Sequence, residues 1–157
     1  MNFLFLCTGN SCRSILSEAL FNARAPKGFS ACSAGSQPSG KVHPLSLRTL
    51  QSLNISTEGL WSKNMQDCEQ FNPEIVVTVC GSAAEELCPL YLGNAIKVHW
   101  GLEDPSHLDC AEDEKMQAFM QTVEHIQRRF DAFFALNFEQ LNAQELAKAL
   151  EKIALIV

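Results

Sequence analysis

Two cysteines, a glycine and an arginine lie within the stretch CTGNSCRS, which runs from Cys7 to Ser14. A tight loop that leads into a helix can point successive backbone N–H groups at one site, and the helix amino terminus adds partial positive charge there. The planar guanidinium of Arg13 can hold two oxygens of a tetrahedral anion. A nearby cation or helix amino terminus also lowers the pKa of a cysteine, which favours the thiolate of Cys7. The stretch therefore predicts an oxyanion site with Cys7 as its nucleophile.

The whole loop is expected to hold the anion. Ser14 is also expected to donate a hydrogen bond to the Cys7 sulfur, whereas Cys12 packs beneath the loop and is given no chemical step. The other interpretation is a buried cysteine at a strand end, followed by an ordinary capped helix. The predicted oxyanion-binding residues are Thr8, Gly9, Asn10, Ser11, Cys12, Arg13 and Ser14.

Two further cysteines, Cys80 and Cys88, follow an apolar run in the segment VVTVCGSAAEELCP. The carboxyl ends of parallel strands open on one edge of a sheet, so Cys80 could reach the Cys7 loop. Two thiols that form a disulfide release two electrons, which a reduction needs and a hydrolysis does not. The segment between Cys80 and Cys88 would have to move for a disulfide to pass between them. The alternatives are two packed core thiols or a sensor of oxidation.

The chain contains seven cysteines, an odd number, and shows no sign of export. We therefore expect free thiols rather than a framework of disulfides. The cysteines lack the CxxC and cysteine-histidine spacings of structural zinc sites, so no metal is predicted. No role is assigned to Cys32, Cys68 or Cys110.

The elements that position these residues follow from the hydrophobic pattern. Short apolar or β-branched runs predict strands at residues 2–6, 29–34, 74–79 and 95–99. Apolar residues at helical spacing predict helices at 13–23, 44–53, 112–134 and 142–153, the last with a capping box. This alternation predicts an α/β fold, an open parallel four-stranded sheet with helices on both faces. In such sheets the loop after the first strand is the expected ligand site.

Composition indicates a single globular domain covering residues 1–157, with 46% apolar and 19% charged residues. No apolar run approaches the roughly 20 residues of a membrane span, and no basic leader precedes the first apolar segment, so a cytoplasmic location is expected. The net charge of −6 argues against a nucleic-acid surface. The apolar stripe of the last helix is expected to pack on the domain, which predicts a monomer.

The stretch CTGNSCRS resembles the CX5R(S) signature of the low-molecular-weight protein tyrosine phosphatases. The resemblance extends through SILSEAL, SAGS and the later pair Asp104-Pro105. It implies that Cys7 is the nucleophile, Arg13 the anion clamp and Asp104 the general acid that protonates the leaving oxygen.

Most of the chain is also similar to the thioredoxin-coupled arsenate reductases built on that phosphatase fold, through CTGNSCRSILSEA, SAGS, VVTVC with the downstream CP, and HWGLEDP. This resemblance implies arsenic detoxification by reduction of arsenate to arsenite. Cys7 attacks arsenate, Cys80 attacks Cys7, and Cys88 takes over the disulfide as Cys80–Cys88. Thioredoxin or another thiol such as glutaredoxin then acts as electron donor, with no bound cofactor. Phosphate and sulfate are expected to compete with arsenate.

Two features of the chain depart from the phosphatase pattern. Asp104 is followed by proline, serine and histidine, whereas phosphatases of this size carry aromatic residues there to flank a tyrosyl ring. Some relatives bind potassium at positions corresponding to Asn10, Glu18 and Ser33, but here Lys63 takes the acidic position of that site, so no metal is expected. The alternative functions are a phosphatase that acts through a Cys7 phosphocysteine and a non-catalytic, redox-responsive anion-binding module.

Overall fold

The computed structural model describes residues 1–81 and 92–157. Cys88, and most of the segment between Cys80 and Cys88 that is expected to move, lie outside the described residues. The described strands are β1 (Asn2–Cys7), β2 (Ser30–Gly35), β3 (Ile75–Thr78) and β4 (Ile96–His99). They form one parallel sheet in the order β2-β1-β3-β4, which confirms the predicted fold class.

The four predicted helices are present, and their ends differ from the predicted ones by one residue at most. Three short 3-10 turns are also described, at Met65–Phe71, Pro105–His107 and Phe138–Gln140. None of the helices among the described residues is both long enough and apolar enough to cross a membrane. The helices are α1 (Arg13–Arg24), α2 (Pro44–Ser52), α3 (Glu112–Phe134) and α4 (Ala143–Ile153).

Phenylalanine rings fill the space between the sheet and the helices α1 and α3. Phe3 and Phe5 alternate with Leu4 on β1 and therefore point to one face of the sheet. Phe3 lies 4.6 Å from Phe21 of α1, and Phe5 lies 5.9 Å from Phe130 of α3, measured between ring centroids. All five side chains are almost completely buried. This core fixes β1 against α1, and so it fixes both ends of the loop that joins them.

The last helix packs on the domain, as predicted. Its apolar stripe, Leu146, Leu150 and Ile153, is buried. The indole N–H of Trp100 donates to the carbonyl of Leu150 at 2.9 Å, and Arg129 of α3 donates to the carbonyl of Trp100 at 2.8 Å. These bonds join α3 and α4 to the segment that follows β4.

The carboxyl ends of β1 and β3 lie side by side. Val79, directly after β3, donates its backbone N–H to the carbonyl of Leu6 at 2.9 Å. Cys7 ends β1, and Cys80 follows Val79. The parallel register therefore brings both cysteines to the same edge of the sheet.

Candidate active site

The loop between β1 and α1 turns its carbonyl groups outward, towards the irregular segment 36–43. Backbone N–H groups of that segment donate to the carbonyls, Ser36 to Cys7 at 3.3 Å, Gln37 to Thr8 at 3.0 Å, Ser39 to Gly9 at 2.9 Å and His43 to Ser11 at 3.1 Å. Within the described residues, the N–H groups of 9–12 donate to no protein acceptor. Because the carbonyls point outward, these N–H groups keep their donor capacity, which is what the predicted anion site requires.

Asn10 holds the loop from beneath. Its φ of 47° lies in the left-handed region, which asparagine tolerates better than most residues. Its buried side chain accepts the N–H of Lys63 at 2.9 Å and donates to the hydroxyls of Ser14 at 2.9 Å and Ser33 at 3.0 Å. Among the described residues no hydrogen bond joins Ser14 to Cys7; the Ser14 hydroxyl instead accepts from the Asn10 amide.

Gly35 ends β2 directly against the loop. A β-carbon at this position would overlap the carbonyl oxygen of Thr8 and would lie 3.1 Å from the β-carbon of Asn10. The Gly35 N–H donates to the carbonyl of Lys63 at 2.9 Å. Glycine is required here because the loop backbone comes closer than any side chain allows.

Arg13 begins α1 and points across the loop towards the segment after β4. Its Nη1 donates to the carbonyl of Leu102 at 3.1 Å, and its Nη2 lies 3.1 Å from Oδ2 of Asp104. The Nε of Arg13 is buried and has no hydrogen-bond partner among the described residues. Arg13 therefore retains a donor for a bound oxyanion while its other nitrogens are held in place.

Asp104 lies beside the loop of residues 7–14, called the anion loop here because it is expected to hold the oxyanion. The resemblance implies this position of Asp104. The N–H and hydroxyl of Ser106 donate to its Oδ1 at 2.9 and 2.6 Å, and Nε2 of His107 lies 3.5 Å from its Oδ2. Burial raises the pKa of Asp104, but the Ser106 hydrogen bonds and the charges of Arg13 and His107 outweigh it, so the pKa is lowered overall. Asp104 is therefore a carboxylate at neutral pH while it is paired with Arg13.

Cys7 and Cys80 are in contact. Their thiols interact, and the Cys80 sulfur lies 3.4 Å from Oγ1 of Thr8. Both cysteines are at most 5% exposed. The structure therefore brings Cys80 beside Cys7 at the sheet edge, where the strand topology places it.

The expected lowering of the Cys7 pKa is wrong for this arrangement. The interaction with Cys80 and burial raise the pKa of Cys7, and the opposing charge of Arg13 does not outweigh them. Cys7 therefore holds its proton tightly while Cys80 lies beside it.

A cavity of about 440 Å³ opens at the anion loop. The cavity is also lined by Ser39, His43 and Ser106, which are absent from the predicted site. Ser39 and His43 lie in an irregular segment that no periodic pattern marks. None of the described lining residues is Phe, Tyr or Trp. A second cavity of about 540 Å³ shares Asp104 but has no cysteine in its described lining. The lining residues at the loop are Cys7, Thr8, Gly9, Asn10, Ser11, Cys12, Arg13, Ser39, His43, Asp104, Ser106 and His107.

A buried ion pair backs the anion loop. Nζ of Lys63 lies 3.5 Å from Oε2 of Glu18, and both side chains are nearly inaccessible to solvent. Ser33 donates to the same Glu18 oxygen at 2.5 Å. Burial raises the pKa of Glu18, and the Lys63 charge partly offsets this. Within 1–81 and 92–157, no three His, Cys, Asp or Glu side chains cluster closely enough to hold a metal ion.

Curated relatives of the chain include arsenate reductases. The arsenate reductase of Halalkalibacterium halodurans is 32% identical over 129 residues, which cover 82% of this chain and 91% of the relative. A solved structure of a thioredoxin-dependent arsenate reductase from Corynebacterium glutamicum is 25% identical with a TM-score of 0.62. That match covers 85% of this chain and 61% of the other.

The fold is shared equally with phosphatases. A low molecular weight protein tyrosine phosphatase from T. tengcongensis has a TM-score of 0.65 at 21% identity, over 83% of this chain and 98% of the other. The family model for low molecular weight phosphotyrosine protein phosphatases matches residues 2–149. With its cradle of backbone N–H groups, its Arg13–Asp104 pair and this match, the chain belongs to the low molecular weight phosphotyrosine protein phosphatase family.

Proposed function

We propose that the protein reduces arsenate to arsenite. Cys7 gives its proton to a basic oxygen of an arsenate held in the loop, and its sulfur attacks the arsenic. An S–As bond forms, and one oxygen leaves as water. Cys80 then attacks the Cys7 sulfur, and the S–As bond breaks. Its electron pair stays on arsenic, so arsenite leaves and a Cys7–Cys80 disulfide remains.

The observation that carries this proposal is the position of Cys80 beside Cys7 at the sheet edge, where the Cys80 sulfur lies 3.4 Å from Oγ1 of Thr8 in the loop that follows Cys7. A phosphatase hydrolyses its phosphocysteine with water and needs no second thiol beside the nucleophile. A reductase needs that second thiol within reach of the Cys7 sulfur.

Arg13 and Asp104 are given complementary roles. The guanidinium clamps the oxyanion, and Asp104 donates the proton that allows an oxygen to leave as water. A dianion bound in the loop competes with Asp104 for Arg13, and its negative charge raises the pKa of Asp104. Binding of the substrate therefore favours the protonated acid that the reaction requires, although the unliganded pair holds a carboxylate.

Recycling is assigned to Cys88 and an external dithiol. Cys88 attacks Cys80, which frees Cys7, and a thioredoxin reduces the resulting Cys80–Cys88 disulfide with no bound cofactor. Such a cycle needs a compartment where thiols are kept reduced, which favours the cytoplasm. We further propose that residues 1–157 act as one domain and as a monomer.

A second candidate is hydrolysis of phosphate monoesters by the same loop, because family membership and the Cys7–Arg13–Asp104 set serve both reactions. The lining of the loop cavity argues against phosphotyrosine, since none of its described residues offers an aromatic wall for the tyrosyl ring. A small inorganic anion needs no such wall.

The test is arsenite production by the purified, prereduced protein with thioredoxin, thioredoxin reductase and NADPH, measured beside hydrolysis of an aryl phosphate. We expect arsenite turnover that depends on thioredoxin. Cys7→Ser abolishes both reactions, and Cys80→Ser abolishes arsenite release but not aryl phosphate hydrolysis. Cys110→Ser is the matched control, because that cysteine has no assigned role, and it retains full activity. Aryl phosphate hydrolysis without arsenite turnover would favour the phosphatase.

A further inference from the structure

A second pair of cysteines lies in contact on the far side of the anion loop from Cys80. Cys32 is in β2, and Cys68 is in the 3-10 turn that follows Lys63. Their sulfurs are 2.6 Å apart, although the residues are 36 positions apart in sequence. Both thiols also point at the carbonyl oxygen of Ser33, at 3.8 Å from Cys32 and 3.6 Å from Cys68.

The two thiols differ in solvent exposure and in pKa. Cys32 is partly exposed, whereas Cys68 is fully buried. The hydrogen bond from Cys68 lowers the pKa of Cys32, burial opposes this, and the Lys63 charge supports it. The same contact, with burial, raises the pKa of Cys68. The lower pKa of the pair therefore belongs to the sulfur that solvent can reach, and the higher pKa belongs to the buried sulfur.

We propose that Cys32 and Cys68 are a second redox site, which hydroperoxides convert to a reversible disulfide independently of the Cys7 relay. The Cys32 thiolate attacks a peroxide oxygen, the O–O bond breaks, and a sulfenic acid and hydroxide form. The Cys68 thiol attacks the sulfenic sulfur, and the S–O bond breaks as water leaves. One hydrogen peroxide and two thiols thus give one disulfide and two waters, and a dithiol reductant reverses the change.

The site shares a support with the anion loop. Ser33, whose carbonyl faces both sulfurs, uses its hydroxyl to bind Asn10 beneath the loop and Glu18 of the buried ion pair. A disulfide here ties β2 to the segment that carries Lys63. The sulfurs are already close enough for a bond to form without a change of fold.

The bond closes a long loop and therefore stabilises the protein. Closing a loop of this length removes conformational entropy from the unfolded chain. For a domain of this size the expected effect is a Tm about 10 °C higher in the oxidised protein than in the reduced one. Dithiothreitol returns the Tm to the reduced value.

The experiment uses the full-length variant Cys7→Ser/Cys80→Ser/Cys88→Ser, so that relay chemistry cannot contribute, beside the wild type. The prereduced protein is treated with one equivalent of hydrogen peroxide, quenched in denaturant with N-ethylmaleimide, digested without reductant and mapped by mass spectrometry. We expect a linked Cys32–Cys68 peptide in both proteins, lost on reduction. Cys110, a lone and partly buried thiol, remains alkylated as the internal control.

Two single variants separate the steps. In Cys68→Ala, the sulfenic acid on Cys32 persists and is trapped by dimedone, because no partner thiol condenses with it. In Cys32→Ala, the buried Cys68 remains a free thiol. The proposal is overturned if Cys32 and Cys68 both stay alkylated after peroxide in the folded wild type. It is also overturned if either cysteine pairs instead with Cys110 or with a second protein molecule.

Discussion

Substitution of Gly35 by alanine tests whether the anion loop depends on close backbone approach. The new β-carbon would overlap the carbonyl oxygen of Thr8 and press on Asn10 at 3.1 Å. To regain ordinary contact, the Thr8 carbonyl must move by on the order of 1 Å, a displacement that typically costs about 100-fold in rate. Overpacking of this kind costs about 1–3 kcal/mol of stability, which leaves a typical domain folded.

The assay for this variant is kcat/KM for arsenate and for an aryl phosphate, together with the Kd for phosphate. We expect all three to worsen about 100-fold, while urea unfolding shows a smaller loss of about 1–3 kcal/mol. Ser36→Ala is the matched control at the neighbouring position. The Ser36 hydroxyl is buried without a hydrogen-bond partner in the described residues, so its removal is expected to leave kcat/KM and stability unchanged. A Gly35→Ala protein with wild-type kcat/KM would refute the reasoning.

Two further predictions concern buried charge. Lys63→Met leaves Glu18 buried without its cation and is expected to lower the free energy of unfolding in urea by about 3–5 kcal/mol. Because the raised pKa of Glu18 rises further, the stability of this variant falls as the pH increases from 5 to 8, and adding Glu18→Gln restores part of it. A loss of stability that does not depend on pH would contradict this reasoning. Asp104→Asn removes a carboxylate whose pKa is lowered, so the wild type is expected to be more stable by on the order of 1 kcal/mol at neutral pH. This difference is lost as the pH falls below about 4, the ordinary pKa of an aspartate, and through the lowered pKa of the folded protein. A gap that grows in acid would contradict the assigned Arg13–Asp104 pairing.

The sequence predicts elements well where periodicity is strong. The helix at Glu112–Phe134 has the predicted ends, because its apolar stripe repeats at helical spacing over about five turns. The reach of Cys80 to Cys7 is also predictable, since parallel strands must end on one edge of the sheet. These predictions depend on local pattern and topology alone.

Other features depend on tertiary contacts that no local pattern carries. Segment 36–43 has no periodicity, yet its N–H groups orient the carbonyls of the anion loop. The pKa of Cys7 was expected to fall because Arg13 and the helix terminus are visible in sequence, whereas the contact with the Cys80 thiol acts in the opposite direction. The meeting of Cys32 with Cys68 depends on how the 3-10 turn packs against β2.

In the proposed cycle, Cys80 attacks the Cys7 sulfur directly, and the Cys7–Cys80 disulfide forms as arsenite leaves. The most direct measurement is a single turnover of the full-length Cys88→Ser variant with arsenate, in which arsenite is quantified and free thiols are alkylated before mapping. We expect one arsenite per protein and a linked Cys7–Cys80 peptide, and neither product when phosphate replaces arsenate. Arsenite released while Cys80 is still alkylated as a free thiol would contradict the account.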